Sequence, residues 1–407
     1  MIGRLIITLA LSLCTAPLIN AQEAESYGVE KAMPLSYQKI KATLSYPLSW
    51  EKSGRKNFDR WKEQGVKKLL ECLSPAPPIV PFNLKVLETE QRNGYSVEKI
   101  AFNISAFDRA SAYLLIPTIG KAPYPAIVLM HDHGAKFSIG KEKMVRPLKS
   151  EEKRIISEYG KKLSPNGKPQ LEQTPLIEAT DQWVKACYDG TYVGDYFASK
   201  GYIVLVTDAL LWGERGRKDG SDYNAQEALA CNLQQMGYSW CGIMTFDDIS
   251  SVNLLKGLPQ VDKDRIGTLG FSMGAHRAWM LSSACKDIKA GAAICWMNTT
   301  DSLMTMTNNQ NKGGSAWSML VPGLVNYMDY PDVAALACPK PMLFFNGLKD
   351  KLFPVGGVKD AYQTMHKVWK SRGADDRLIT KFFDGPHFFS KPMQEEVLLF
   401  FDKYLKK

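Results

Sequence analysis

Short, nearly unbroken apolar runs recur through the second part of the chain, at residues 126–130, 203–206, 290–296 and 342–345. Runs of that length without alternation predict strands covered on both faces, as in a parallel sheet flanked by helices. Stretches with helical spacing fall between them, at 195–200, 249–256 and 275–284. Ahead of this region the pattern is different. Residues 84–89 and 95–102 alternate around a turn at Asn93-Gly94, and 110–116 follows a further turn, which predicts antiparallel strands. Residues 35–73 read as helical, with Trp61, Val66, Leu69 and Leu70 on one face, and Ser74-Pro75-Ala76-Pro77-Pro78 ends that stretch. The expectation is an α/β chain with a mostly parallel central sheet and helices on both faces. A helical extension at 22–79 would precede a catalytic domain at 80–407.

Residues 1–21 stand apart. A short basic start, an apolar run at 5–13 and a small residue after Pro17 predict a secretory signal peptide and a periplasmic or extracellular protein. Cys14 resembles a lipid-attachment site only weakly, because Leu13 before it is not small. No later stretch is long and apolar enough for a membrane span. The seven cysteines beyond residue 21 show no CxxC spacing, which points away from a zinc ribbon; a Cys231–Cys241 disulfide stays open. The formal net charge of +9 admits an acidic partner, yet no nucleic-acid motif is present, and none is expected of an exported protein.

Residues 135–190 are too long for an ordinary connection. They carry Lys141, Lys143 and Arg146 among many basic residues. This basic insertion reads either as a solvated surface or as a substrate-contacting segment, with those three side chains as candidate contacts. After the run ending at Thr207 come Asp208, Trp212 and Arg215. Trp212 could stack on a sugar ring and Arg215 hold a carboxylate, or Arg215 could pair with Asp208.

The chemistry concentrates in three places. Arg265 to Leu269 reads as a strand, Gly270-Phe271-Ser272-Met273-Gly274 follows, and a helix follows that. Strand, GxSxG and helix form a nucleophile elbow, a tight turn that presents a serine hydroxyl. A serine needs a base to take its proton, and the base needs an acid to orient it. Asp350 follows the strand at 342–345 and His387 the strand at 378–383, in the order Ser, Asp, His. Asp384 is a rival acid and Asp301 a weaker one; His366 and His276 are read as helix residues. His131-Asp132-His133-Gly134 ends the strand at 126–130. Two histidines and an aspartate admit a zinc reading. The position also suits an oxyanion hole, built from the Met273 amide and one amide from this loop, here assigned to His133. No metal or cofactor is expected.

Taken together, these motifs resemble bacterial α/β-hydrolases of the dienelactone-hydrolase-like and acetyl-xylan-esterase-like kind, over residues 80–405. Exported carbohydrate esterases, including the pectin methylesterases of carbohydrate esterase family 19, are the most similar group. The resemblance implies the α/β-hydrolase fold and a Ser272–His387–Asp350 serine esterase acting on an ester-decorated polysaccharide. Methyl-esterified galacturonan is the first expectation and O-acetylated sugar the second. Three departures narrow it. Dienelactone hydrolases use cysteine where Ser272 stands, acetyl xylan esterases of the cephalosporin-deacetylase type have glutamine at Met273, and glucuronoyl esterases have another nucleophile motif. A prolyl-oligopeptidase-type peptidase shares the triad order, but the N-terminal segment is too short for its propeller.

Overall fold

The computed structural model describes residues 33–55, 57–163, 169–306 and 317–406. The proposed signal peptide lies outside them. The chain forms two units, Met1–Thr43 and Leu44–Lys407. In the first, the described part is helix α1 (Leu35–Ala42).

The second unit is built on a nine-stranded sheet. Its strands are β1 (Lys85–Arg92), β2 (Tyr95–Asn103), β3 (Arg109–Pro117), β4 (Tyr124–Met130), β7 (Ile203–Thr207), β8 (Val261–Phe271), β9 (Ala290–Ile294), β10 (Met342–Gly347) and β11 (Leu378–Phe383). They lie in the order β1-β2-β3-β7-β4-β8-β9-β10-β11. β1, β2 and β3 pair antiparallel, β3 meets β7 antiparallel, and every pair from β7 to β11 is parallel. The unalternating apolar runs are the reason: β7, β9 and β10 are buried at every residue and so need helices on both faces. This is the expected mostly parallel α/β sheet.

Helices α3 (Leu176–Cys187), α4 (Val193–Ser199), α5 (Tyr223–Gln235), α6 (Trp240–Lys256), α7 (Met273–Ala284), α8 (Thr300–Leu303), α9 (Tyr330–Ala335), α10 (Val355–Ser371) and α11 (Lys391–Leu405) follow the strands. α7 is buried along nearly its whole length, as a helix enclosed by a sheet and other helices must be. Among the described residues no helix is long and apolar enough to cross a membrane.

The stretch 35–73 is not one helix. Pro47, which lacks an amide hydrogen, separates α1 from a single wide turn at Trp50–Gly54 and from α2 (Phe58–Leu73). Nor is α2 an appendage to a domain starting at residue 80. Asn57 caps its first turn, accepting from the Arg60 amide at 3.0 Å. Its buried face, Trp61, Gly65, Leu69 and Leu73, repeats every four residues and joins the large core cluster with Trp279, Leu336 and Trp369. The body therefore begins near residue 44.

The insertion at 135–190 has structure of its own. A turn at Lys141–Lys143 is followed by the hairpin β5 (Ile155–Leu163) and β6 (Pro169–Pro175), and then by α3. Met144, Val145, Leu148 and Val184 anchor it in the core beside β4 and β7. The seven cysteines are free; Cys231 is exposed and Cys241 buried, so the disulfide considered for them is not formed.

Candidate active site

At the carboxyl end of β8 the chain turns sharply into α7. Ser272 holds φ 56° and ψ −123°, a conformation costly for any side chain and stored where the surroundings over-determine it. Two glycines make the turn feasible. A Cβ on Gly270 would strike the backbone of Gly274, and one on Gly274 would strike the Met130 carbonyl of β4. The Ser272 amide donates to Ile294 O of β9 at 2.8 Å, which fixes the turn between its two neighbouring strands.

The loops after β10 and β11 bring Asp350 and His387 together. His387 Nδ1 lies 2.7 Å from Asp350 Oδ2, and the Asp350 carboxylate is fully buried. Its other oxygen accepts from the Leu352 amide at 2.9 Å. The His387 ring rests on Phe271, the residue before Ser272, at 4.8 Å between centroids, with Phe353 at 6.1 Å on another side. Asp384, the rival acid, points into solvent and pairs with Lys349 at 2.8 Å. Asp301 is exposed on α8. His366 sits on α10 between Asp375 and Thr380, a helix-surface residue as read.

One member of this group was not anticipated. Cys295 directly follows β9 at φ 59°, and its thiol, Asp350 and His387 offer ligand atoms within 4.8 Å of one another. Their chemistry fits a metal poorly. Burial, then the Asp350 charge, pushes the Cys295 thiol up to about 12, so it keeps its proton, while Asp350 is already committed to His387 and Leu352. A cysteine inside an apolar run gives no sign in sequence that its strand ends against a carboxylate.

After β4, the loop of His131 to Gly134 is fully buried except at Gly134. His131 Nδ1 donates to the Asp132 carbonyl at 2.8 Å, and its Nε2 accepts from the Ala209 amide at 3.0 Å. His133 Nδ1 accepts from the Ala135 amide at 3.0 Å, while its Nε2 meets Gln226 Oε1. Burial first, and Lys143 nearby, keep both rings neutral; His133 is drawn down to about 4. Each neutral ring thus has its lone pair engaged by a backbone amide, so neither is set up to ligate zinc. The Met273 and His133 amides have no hydrogen-bond partner among the described residues.

The candidate substrate contacts are corrected by the structure. Trp212 is fully buried under this loop and donates from Nε1 to the His133 carbonyl at 3.1 Å, so no ring face is offered to a sugar. Arg215 is buried too. It pairs with Asp108 at 2.7 Å and Asp247 at 2.8 Å, and reaches Asp208 only at its carbonyl. Lys141 is enclosed by Asp208, Glu142 and Glu214 at 2.8 to 3.0 Å. Burial alone would lower its pKa, but those three carboxylates raise it well above the usual lysine value. Lys143 is equally buried against Asp132 and the loop carbonyls. Arg146 alone is on the surface, and it pairs with Glu152 at 2.9 Å. An unpaired charge cannot be buried at tolerable cost, so each inward lysine carries its own acids.

On the other side of Ser272, α7 and the β9 and β10 loops supply rings. His276 packs edge-on to Trp296 at 4.5 Å and Trp279 at 4.7 Å, and Trp296 meets Tyr330 at 5.2 Å and Phe353 at 5.3 Å. Both His276 nitrogens and the Nε1 atoms of Trp279 and Trp296 are buried without a hydrogen-bond partner among the described residues.

With this geometry in view, the relatives are informative. Residues 20–370 match the Abhydrolase family. The chain belongs to it. YtaP of Bacillus subtilis, named as a hydrolase, is 25% identical over 83% of this chain and 98% of its own. A Bacteroides fragilis structure named as an acetyl xylan esterase superposes with a TM-score of 0.62 at 19% identity, covering 86% of this chain and 82% of that one. A glucuronoyl esterase from Solibacter usitatus gives 0.56 at 12% identity, covering 85% and 93%. These similarities establish the α/β-hydrolase fold.

Proposed function

We propose that the protein is a serine carboxylic-ester hydrolase acting on ester-decorated carbohydrate, with Ser272 as nucleophile, His387 as general base and Asp350 as orienting acid. The observation that carries this reading is the buried Asp350 carboxylate on His387 Nδ1, with the ring packed against the residue before a strained elbow serine. With Nδ1–H donating to Asp350, the lone pair of Nε2 is left to accept the Ser272 proton. Attack on the ester carbonyl moves its π electrons onto oxygen, where the Met273 amide and an amide of the His131 to Gly134 loop would stabilise the charge. His387 then protonates the departing alcohol, and a water activated by the same ring releases the acid and Ser272.

On substrate, all but Arg146 of the basic residues singled out to draw a polyuronate are spent inside the protein. Lys141, Lys143 and Arg215 are buried in ion pairs or against loop carbonyls. This favours neutral O-acetylated sugars, placing methyl-esterified galacturonan second. The name of the similar Bacteroides fragilis structure points the same way.

Acetate release from acetylated xylan and methanol release from pectin decide between them. Acetate should exceed methanol at matched ester concentration; the opposite order would restore pectin methylesterase. The Ser272→Ala protein should release neither, with a loss of about 10⁴-fold or more in turnover. Retention of a tenth of the wild-type rate would remove Ser272 from its role. We further propose export with removal of residues 1–21. N-terminal sequencing of the protein recovered from the periplasm or medium checks this, and an intact residue 1 there would refute it.

A further inference from the structure

Lys143 lies in the basic insertion, yet its ammonium is buried behind the loop that follows β4. It donates to the Asp132 carbonyl at 3.0 Å and to the His133 carbonyl at 2.8 Å, with Asp132 Oδ2 at 3.4 Å. Each carbonyl has a second donor. His131 Nδ1 reaches Asp132 O at 2.8 Å, and Trp212 Nε1 reaches His133 O at 3.1 Å. Two successive peptide oxygens therefore accept four hydrogen bonds.

In a trans peptide the N–H points away from its C=O. The Asp132 carbonyl shares its peptide with the His133 amide, and the His133 carbonyl shares its peptide with the Gly134 amide. Pinning both oxygens aims both N–H groups the opposite way, and neither has a partner among the described residues. A cation on the oxygen also polarises the peptide, making its N–H a stronger donor. The position of Gly134 is set as well: at φ +57°, a Cβ would enter the Trp183 ring, whose Nε1 donates to Asp132 Oδ1 at 3.1 Å.

We propose that Lys143 is a positioning residue for ester hydrolysis, orienting and polarising the two loop amides that receive the oxyanion. This rests on the reading of Ser272 as nucleophile. It assigns the second oxyanion donor to a pair of peptides, those ending in the His133 and Gly134 amides, whose backs share one buried ammonium. Burial lowers the lysine pKa from its usual value, outweighing the opposing charges of Asp132 and Glu158.

The test uses the full chain with Lys143→Met, and Lys143→Met combined with Asp132→Asn so that no unpaired carboxylate is left inside. Steady-state rates on a short-chain chromogenic ester are compared with inhibition by a trifluoromethyl ketone. Ser272 adds to that ketone, its proton passing to His387 and the carbonyl oxygen becoming an oxyanion. Losing an oxyanion donor typically costs about 10²- to 10³-fold in kcat. The expected result is a loss of about 10²-fold in kcat, KM changed less than about threefold, and ketone affinity falling in parallel with kcat/KM. Should Lys143→Met not fold, the double variant carries the comparison. Unchanged kcat would overturn the proposal, as would a loss with KM rising in step and ketone affinity intact. Loss of activity in Ser272→Ala beside either of those results leaves the esterase reading standing and removes only Lys143.

Discussion

On the β4 and β7 side of Ser272, the buried charged and imidazole side chains are held by multiple hydrogen bonds. Asp208 alone accepts the Lys141 amide at 2.6 Å, the Lys141 ammonium at 2.8 Å and the Glu214 amide at 3.0 Å. On the β9 and β10 side, His276, Trp279 and Trp296 leave four buried nitrogens without partners among the described residues and hold together by ring packing. Because β8 lies between β4 and β9 in the sheet, these regions flank the serine. Multiple hydrogen bonds fix orientation, which a loop presenting amides to a developing charge requires. Edge-to-face rings fix volume and shape, at roughly 0.5–1.5 kcal/mol per pair beyond burial. One side of the elbow is built for direction and the other for fit.

The largest effect expected from breaking this arrangement falls at the acid. Asp350→Asn removes the charge partner of His387 and disturbs its tautomer, and turnover should fall by roughly 10³- to 10⁴-fold. Asp384→Asn, on a residue 73% exposed, should stay within about twofold. Rates on one chromogenic ester decide it, and a reversed ranking would make Asp384 the acid.

A single substitution made on both sides tests the contrast itself. Trp212→Phe and Trp296→Phe each shrink a fully enclosed indole by the same atoms. In the first, the His133 carbonyl loses one of its two donors; in the second, an orphaned N–H disappears. A lost hydrogen bond costs about 0.5–1.5 kcal/mol, whereas removing an unsatisfied buried donor relieves a cost of about 1–3 kcal/mol. Trp212→Phe should therefore be less stable than Trp296→Phe by about 2 kcal/mol in denaturant titration. Equal stabilities would mean that the Trp212 hydrogen bond on the β4 side contributes nothing.

Much of this organisation is legible in the chain. The unalternating runs at 203–206 and 342–345 announce a parallel sheet, and GxSxG between a strand and a helix announces the elbow. What was not legible depends on contacts distant in sequence. Lys141 and Lys143 look like any lysines of a basic loop; their burial follows from Asp208 and Glu214, 67 and 73 residues further on, and from the carbonyls of 132–133. Trp212 looked like a platform for sugar because an indole has the same one-dimensional signature whether it faces solvent or a peptide oxygen. The helix at 35–73 was overrun because the apolar spacing of α2 was extended backward through Pro47.

The smallest expected effect is a dependence on pH from the ring-packed side. His276 is neutral because burial draws its pKa down to about 3, while an unfolded histidine titrates near 6.5. Between those values the unfolded chain binds the proton and the folded protein does not, so stability rises with pH across that window and is lost as pH falls below about 6.5. From pH 7 to pH 5.5 this one group should remove about 1 kcal/mol. His131 and His133, also buried and neutral, add losses of the same sign from the β4 side. His276→Phe keeps a ring among Trp279, Trp296 and Tyr330 and deletes the titration, so its stability should fall less over the same interval, by that 1 kcal/mol. The measurement is unfolding free energy at the two pH values for both proteins. A variant whose acid-side loss equals that of the wild type would show that protonation of His276 is relieved by a partner in the folded state, and the ring-packed side would then be less orphaned than its geometry implies.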